Sequence, residues 1–263
     1  MLPELFTYLT TPCPPYVRKM GYLREAIGLK CRYKRHPARW QPHLERTRQC
    51  ILSAASKCGN KGKVVILGSG LLLDVPLDEL SAMFRDVVLI DIVCLPEIRR
   101  RIKRYGNVRF LLGDVTGIAE TLYKNVSCGR RELPFAAPVL PEIDKDTGLV
   151  ISLNVLSQLV VVPRIYALKK LPEIDQDRVA SWCRRIIEAH YAFLASMTCN
   201  VCLIADYRYS KHDCSGRITA QGSTLYGMSL PAPDDSWTWD IAPRGEESRL
   251  YSKRLEVGGW QVR

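Results

Sequence analysis

The sequence predicts a doubly wound α/β fold. Its sheet is mostly parallel, with antiparallel strands at the C-terminus and a basic helical cap at the N-terminus. Three observations carry this. From Lys63 onward, short apolar runs alternate with amphipathic stretches. The runs are uncharged and rich in β-branched residues, as strands buried on both faces must be. The last thirty residues instead alternate polar and apolar positions, like strands at a sheet edge.

The N-terminal segment comes first in the chain and is irregular and helical. "PELFTYLTTPCPPYVRKMGYLREAIGL" mixes helical patterns with a Pro-rich break at Pro12–Pro15, and "HLERTRQCILSAASKC" spaces Leu44, Cys50 or Ile51, Ala54 and Ala55 as one helix face. Gly59 ends that helix. The predicted organisation is a basic cap over 1–60 and a nucleotide-binding domain over 61–263. Residues 1–63 carry thirteen cations against Glu4, Glu25 and Glu45, so +10 of the net +11 lies there. Such asymmetry points to an anionic partner. Tyr8, Tyr16, Tyr22, Tyr33 and Trp40 are interleaved with the cations, a composition that suits stacking on bases or closing over a small anion.

"KVVILG" reads as the first strand, "DVPLDELSAMF" as a helix, "DVVLIDI" as the second strand and "LPEIRRRIKRYG" as the second helix. "VRFLLGDV", "TGIAETLYKNV" and "GLVISLNVL" follow as strand, helix and strand. After a loop come the long helix "DRVASWCRRIIEAHYAFLASM" and the strand "NVCLIADYRYS". "SWTWDIAP" and "SRLYSKRLEVGGWQVR" are the edge strands.

The ten cysteines show no disulfide framework, and Cys199-x-x-Cys202 has no second pair at zinc spacing, so no metal is expected. The N-terminus lacks a basic stretch followed by an apolar run, and no apolar run reaches membrane-spanning length. These features predict a cytoplasmic chain without membrane contact. The sequence is silent on oligomeric state.

The informative stretch is "ILGSGLLLD". A strand, a glycine turn and a helix make the first half of a nucleotide-binding unit. Gly68 and Gly70 let backbone approach a ligand closely. Asp91 ends the second strand at the spacing from which an acid reaches ribose hydroxyls. Asp114 ends the third strand. A dinucleotide fingerprint would need glycine where Leu73 stands, and no Lys-Ser or Lys-Thr follows the turn, so neither NAD nor a Walker loop is expected.

In order, "ILGSG", "LID" and "LLGDV" resemble the cofactor half of class I S-adenosylmethionine-dependent methyltransferases, a Rossmann-like fold. The resemblance covers roughly Lys63 to Ser210. It implies S-adenosyl-L-methionine as cofactor, held by Gly68, Ser69, Gly70, Asp91, Ile92, Asp114, Val115 and Asn154. The turn departs from the family pattern at Leu72, where an alternate third glycine would stand. "SLNVLSQL" resembles the family's fourth motif, but it is not the Asp/Asn-Pro-Pro-Tyr used on base amines.

Candidate catalytic residues are Asn154, Asp206 and Tyr207, since function gathers at the carboxyl ends of parallel strands. Methyl transfer needs alignment above all, with a general base only for a protonated acceptor. Arg32, Arg35, Trp40, Tyr209 and His212 are the candidate substrate-binding residues, for a small anionic acceptor or RNA. His190 is expected to pack against the sheet, and Trp237 and Trp239 to share one packed face of a strand. A non-catalytic protein of the same fold that binds RNA or a protein partner is the alternative.

Overall fold

The apolar runs form strands β1 (Lys63–Leu67), β2 (Asp86–Asp91), β3 (Val108–Leu112), β4 (Thr147–Leu153) and β5 (Asn200–His212). The computed structural model describes residues 2–262. The polar tail supplies β6 (Ile218–Ser223), β7 (Asp235–Ala242) and β8 (Ser252–Gln261). All eight join one sheet in the order β3-β2-β1-β4-β5-β8-β7, with β6 paired to the far end of β5. The first five run parallel, while β8 pairs antiparallel with both β5 and β7. The chain therefore has the expected Rossmann-like arrangement, mostly parallel with antiparallel C-terminal strands.

Period-two alternation divides each central strand between two cores. Val64, Ile66, Val87, Leu89, Leu149, Ile151 and Ile204 face one side. There they meet α4 (Pro37–Lys57), α5 (Leu77–Met83) and α6 (Pro96–Ile102). Val65, Leu67, Val88, Ile90, Val150 and Leu203 face the other side. Their partners are α7 (Ala119–Ser127), α8 (Val161–Lys170) and α9 (Gln176–Ala195). Ile66 is fully buried, so its truncation to alanine costs about 2–5 kcal/mol in transfer and cavity energy.

Two elements were not legible in the sequence. Helix α8 lies where the run "LVVVPRI" masks any 3.6-residue period. Pro163 falls within its first turn, where no intrahelical N–H is required. Strand β6 is exposed along almost its whole length. With no buried face it leaves no alternation to read.

The N-terminal residues form α1 (Leu2–Thr10), α2 (Pro15–Met20) and α3 (Tyr22–Arg35) before α4. Gly21 turns α2 into α3 at φ +109. Val17, Leu23 and Ile27 belong to the core under α4, whereas Met20 belongs to the other. Tyr16 and Tyr22 touch both cores, so this hairpin straddles an edge of the sheet. Ion pairing of Lys30 with Glu97, in the first turn of α6, marks it as the carboxyl edge. Helix α4 is a full layer of the fold: Ile51, Ala54 and Ala55 are buried with β1, β4 and β5.

Candidate functional site

At the end of β1, Gly68 and Gly70 adopt left-handed φ of +78 and +49. The N–H groups of Gly68 and Ser69 donate to the Ile90 carbonyl at 2.9 and 3.3 Å, tying the turn to β2. A Cβ on Gly68 would stand 2.7 Å from Val155 Cβ and 2.9 Å from the Leu153 oxygen. The turn is thus pressed against the end of β4. A Cβ on Gly70 would meet nothing nearer than the Gly68 oxygen at 3.8 Å, so that position faces open space. Leu72 also has left-handed backbone, φ 56. Its fully buried side chain offsets the ~1–2 kcal/mol that such a conformation costs an L-residue.

The two strand-end acids fasten loops. Asp91 accepts from Gly70 N at 2.8 Å and from Val93 N at 3.2 Å, joining β2 to the glycine turn. Burial raises its pKa. Asp114 accepts from Thr116 N at 2.9 Å and Thr116 Oγ1 at 2.6 Å, and from Ala119 N at 2.8 Å. It therefore caps the start of α7. A carboxylate has about four lone-pair sites, so both acids retain capacity for a ligand. Tyr16 and Tyr22 lie beside Asp114; burial first, then the Asp114 charge, raises both phenol pKa values. Ile92 touches both cores, and Val115 is buried in the core under α7. The Ser69 hydroxyl is buried without a hydrogen-bond partner.

Asn154, just after β4, also has left-handed backbone, φ 50. One terminal atom of its amide lies 2.9 Å from Asp74 Oδ2 and 3.4 Å from His43 Nε2. The other is buried without a partner. His43 and Asp74 were not singled out in the sequence. Asp74 did carry a signal, as an acid directly after a leucine run. His43 carried none, because its partners Trp237 and Trp239 lie on β7, far along the chain. Trp237 Nε1 donates to His43 Nδ1 at 3.0 Å, and Trp239 stacks on the imidazole at 3.9 Å. The two tryptophans do share one face of β7, as their spacing predicted, and both meet His43 of α4.

Asp206 lies midway along β5, just past Ile204 where the parallel pairing with β4 stops, and not at the strand end the sequence suggested. It is 2% exposed and accepts from Ser157 Oγ at 2.5 Å. Burial raises its pKa. Tyr207 turns elsewhere. Its ring meets Trp260 edge-on at 6.0 Å and lines a cavity of about 370 Å³ with Arg208, Leu225, Met228 and Leu230. His190 is buried with Nε2 3.0 Å from Ser152 Oγ, packed against the sheet as expected.

The expected substrate residues are dispersed. Arg35 donates to Glu246 Oε2 at 2.9 Å, and Arg32 lies 3.6 and 3.7 Å from Glu246 and Glu247. The Arg35 hydrogen bond holds the Glu246 pKa down at about 2. Arg39 pairs with Asp240 and Arg46 with Asp235. These cations fasten α3 and α4 to β7 and the loop after it. Trp40 is 2% exposed, and its indole donates to the Ile241 oxygen at 3.3 Å, so it packs in the core instead of meeting solvent. Tyr209 packs beside Gly222. His212 bonds Ser210 and the Gly216 oxygen at the tip of the β5–β6 hairpin. Among the described residues no helix is long and apolar enough to cross a membrane, and no three metal-ligating side chains cluster.

No protein-family model matches the chain, and no curated protein does. Solved structures do resemble it. One is a Burkholderia thailandensis 1,6-didemethyltoxoflavin-N1-methyltransferase with bound S-adenosylhomocysteine: 15% identity, TM-score 0.32, covering 81% of this chain and 79% of that one. A second is the glycopeptide N-methyltransferase MtfA with S-adenosyl-L-methionine: 11% identity, TM-score 0.33, coverage 82% and 77%. A third is the 23S rRNA methyltransferase ErmE: 10% identity, TM-score 0.29, coverage 83% and 70%. Likeness of this degree transfers no residue and no substrate. The fold assignment rests on the strand order itself.

Proposed function

We propose that the chain is an S-adenosylmethionine-dependent methyltransferase acting on an anionic acceptor, small molecule or RNA. The observation that carries this is the hydrogen bond from Gly70 N to Asp91. It brings the glycine turn of β1 and the acid of β2 to one point on the carboxyl edge, one strand away from Asp114. The site fits the cofactor in two further respects. Ser69 Oγ is buried without a partner, and the Cβ side of Gly70 is open.

In this reading Asp91 holds the ribose hydroxyls, Ile92 and Val115 flank the adenine, and Asp114 receives its exocyclic amine. Gly68, Ser69 and Gly70 lie along the methionine part. Bound there, S-adenosylmethionine supplies an electrophilic methyl group on a sulfonium. The chain's own contribution is alignment, which supplies most of the rate effect for such a transfer. Asn154, fixed by Asp74 and His43, stands at the mouth of the pocket. Asp206, poised by burial and by Ser157, is the group available to take a proton from a protonated acceptor.

Arg32 and Arg35 are committed to Glu246. Binding of an anion then falls to other cations of α3, α6 and the turn after it, of which Arg24, Lys34, Arg99, Arg100, Lys103 and Arg104 have no ion pair among the described residues. The non-catalytic alternative is favoured by one observation: Tyr22 is buried against both cores and near enough to Asp114 for that charge to raise its phenol pKa, close to where adenine would lie.

Titration calorimetry with S-adenosylmethionine and its demethylated product tests the proposal. Micromolar binding is expected, weakened by about 1–3 kcal/mol in Asp91→Ala, the scale for unpaired buried polar groups. Absence of heat and of thermal shift with both ligands would overturn the enzyme reading.

A further inference from the structure

The contacts around His43 fix more than its position. An indole nitrogen can only donate, so His43 Nδ1, 3.0 Å from Trp237 Nε1, must accept. His43 is 1% exposed and stacked on Trp239, with no carboxylate against its ring. Burial holds it neutral, its pKa pushed down to about 3. A neutral imidazole whose Nδ1 accepts carries its proton on Nε2.

That Nε2–H faces one terminal atom of the Asn154 amide at 3.4 Å. An N–H must meet oxygen there, not a second NH₂. The oxygen and nitrogen of an amide exchange places by a half-turn about χ2, and the hydrogen-bond network decides between them. The same atom lies 2.9 Å from Asp74 Oδ2. Two oxygens at that separation need a proton between them, and only Asp74 can supply it. The charge that acts on Asp74 is that of Arg48, whose guanidinium is engaged with the Leu73 carbonyl. Burial outweighs its charge, so the Asp74 pKa is raised.

We infer that Asn154 turns its amide oxygen to His43 and Asp74, that Asp74 holds a proton at neutral pH, and that the Asn154 NH₂ is left as a buried donor without a partner. His43 and Asp74 are positioning residues in a Trp237–His43–Asn154–Asp74 chain. The NH₂ takes the place of the buried, partnerless amide atom. Ser69, whose hydroxyl is equally partnerless, directly follows Gly68, and Gly68 is pressed against the Leu153–Val155 segment that carries Asn154. The pair suits a ligand presenting acceptor atoms, such as a carboxylate or carbonyl oxygen. Only this assignment of the ligand rests on the functional reading above. The protonation pattern stands whether or not S-adenosylmethionine binds.

Nuclear magnetic resonance of the labelled, ligand-free chain tests it. Long-range ¹H–¹⁵N spectra should show His43 protonated on Nε2 alone, unchanged across about pH 5–8, the range in which an ordinary histidine titrates. The Asp74 carboxyl carbon should report the acid form at neutral pH. Protonation on Nδ1, or an Asp74 that ionises like an exposed aspartate, overturns the inference. A second arm uses stability. Asp74→Asn supplies an NH₂ donor in place of the acid O–H, so its melting temperature should match the parent's, while Asp74→Leu should melt several degrees lower. Equal losses in the two variants would show that Asp74 works as an ionised partner and would refute the proton assignment.

Discussion

Gly68→Ala and Gly70→Ala should behave very differently, although the two glycines sit two residues apart in one turn. Both have left-handed φ, so each alanine carries about 1–2 kcal/mol of backbone strain. At Gly70 that is the whole cost, because the new methyl meets no atom within ordinary contact distance except the Gly68 oxygen. At Gly68 the methyl would lie 2.7 Å from Val155 Cβ and 2.9 Å from the Leu153 oxygen. Neither neighbour is the far end of a flexible side chain, so the end of β4 must shift. Overpacking of this kind adds about 1–3 kcal/mol, for a total near 2–5 kcal/mol. Denaturant unfolding of the two variants measures the difference directly. Ligand titration should invert the order: Gly70→Ala places its methyl in the space left for the cofactor and should weaken binding in a chain that is nearly as stable as the parent. If Gly68→Ala is no more destabilising than Gly70→Ala, the turn is not pressed against β4, and the geometry argued for the pocket fails.

Glu246 gathers Arg35, Arg32 and His36, so Glu246→Gln should cost roughly 1.5–3 kcal/mol, the scale of a hydrogen bond to a charged group. Limited proteolysis should find α3 and α4 released first; unchanged protection would show that these pairs are surface decoration. Asp206 has a raised pKa and so binds its proton more tightly when folded. Its contribution is then fully present below the ordinary carboxylate pKa and is lost as pH rises through the folded value. Asp206→Asn should flatten the fall in stability that sets in as pH rises above about 4, and an unaltered pH profile would contradict the burial argument.

The sheet was legible because its strands are buried on both faces, which forces uncharged β-branched runs and leaves glycine and acid at their ends. Asp91 and Asp114 were legible for the same reason. The sequence did not disclose what those acids bond to in the folded chain, since Gly70 N and the start of α7 are backbone partners with no sequence signature. His43 was invisible because its environment is assembled from β7, some two hundred residues later. Arg32 and Arg35 misled for a related reason. A run of cations looks free until the acids that neutralise it, Asp235, Asp240, Glu246 and Glu247, are seen to fold back against it. Net charge per segment is a property of the chain, whereas available charge is a property of the fold.

That distinction decides how RNA binding should be tested. Reversing Arg32, Lys34 and Arg35 would set new acids against Glu246 and Glu247 and loosen the N-terminal helices, so weaker binding could not be assigned to the phosphates alone. Arg100, Lys103 and Arg104 are the cleaner probe. They lie on α6 and the turn after it, all three are exposed, and none makes an ion pair among the described residues. If RNA lies across this stripe, each phosphate left unneutralised should reduce the slope of log affinity against log salt by about 0.7 for a single strand. The triple Glu variant should then show a slope shallower by about 2, the sum for three phosphates, while retaining the parent's cofactor affinity and melting temperature. A parent chain whose RNA affinity is weak and independent of salt would leave the small anionic acceptor as the surviving form of the proposal. A steep slope that the variant does not change would place the RNA elsewhere, with Arg24 and Lys34 of α3, which also make no ion pair among the described residues, as the next positions to reverse.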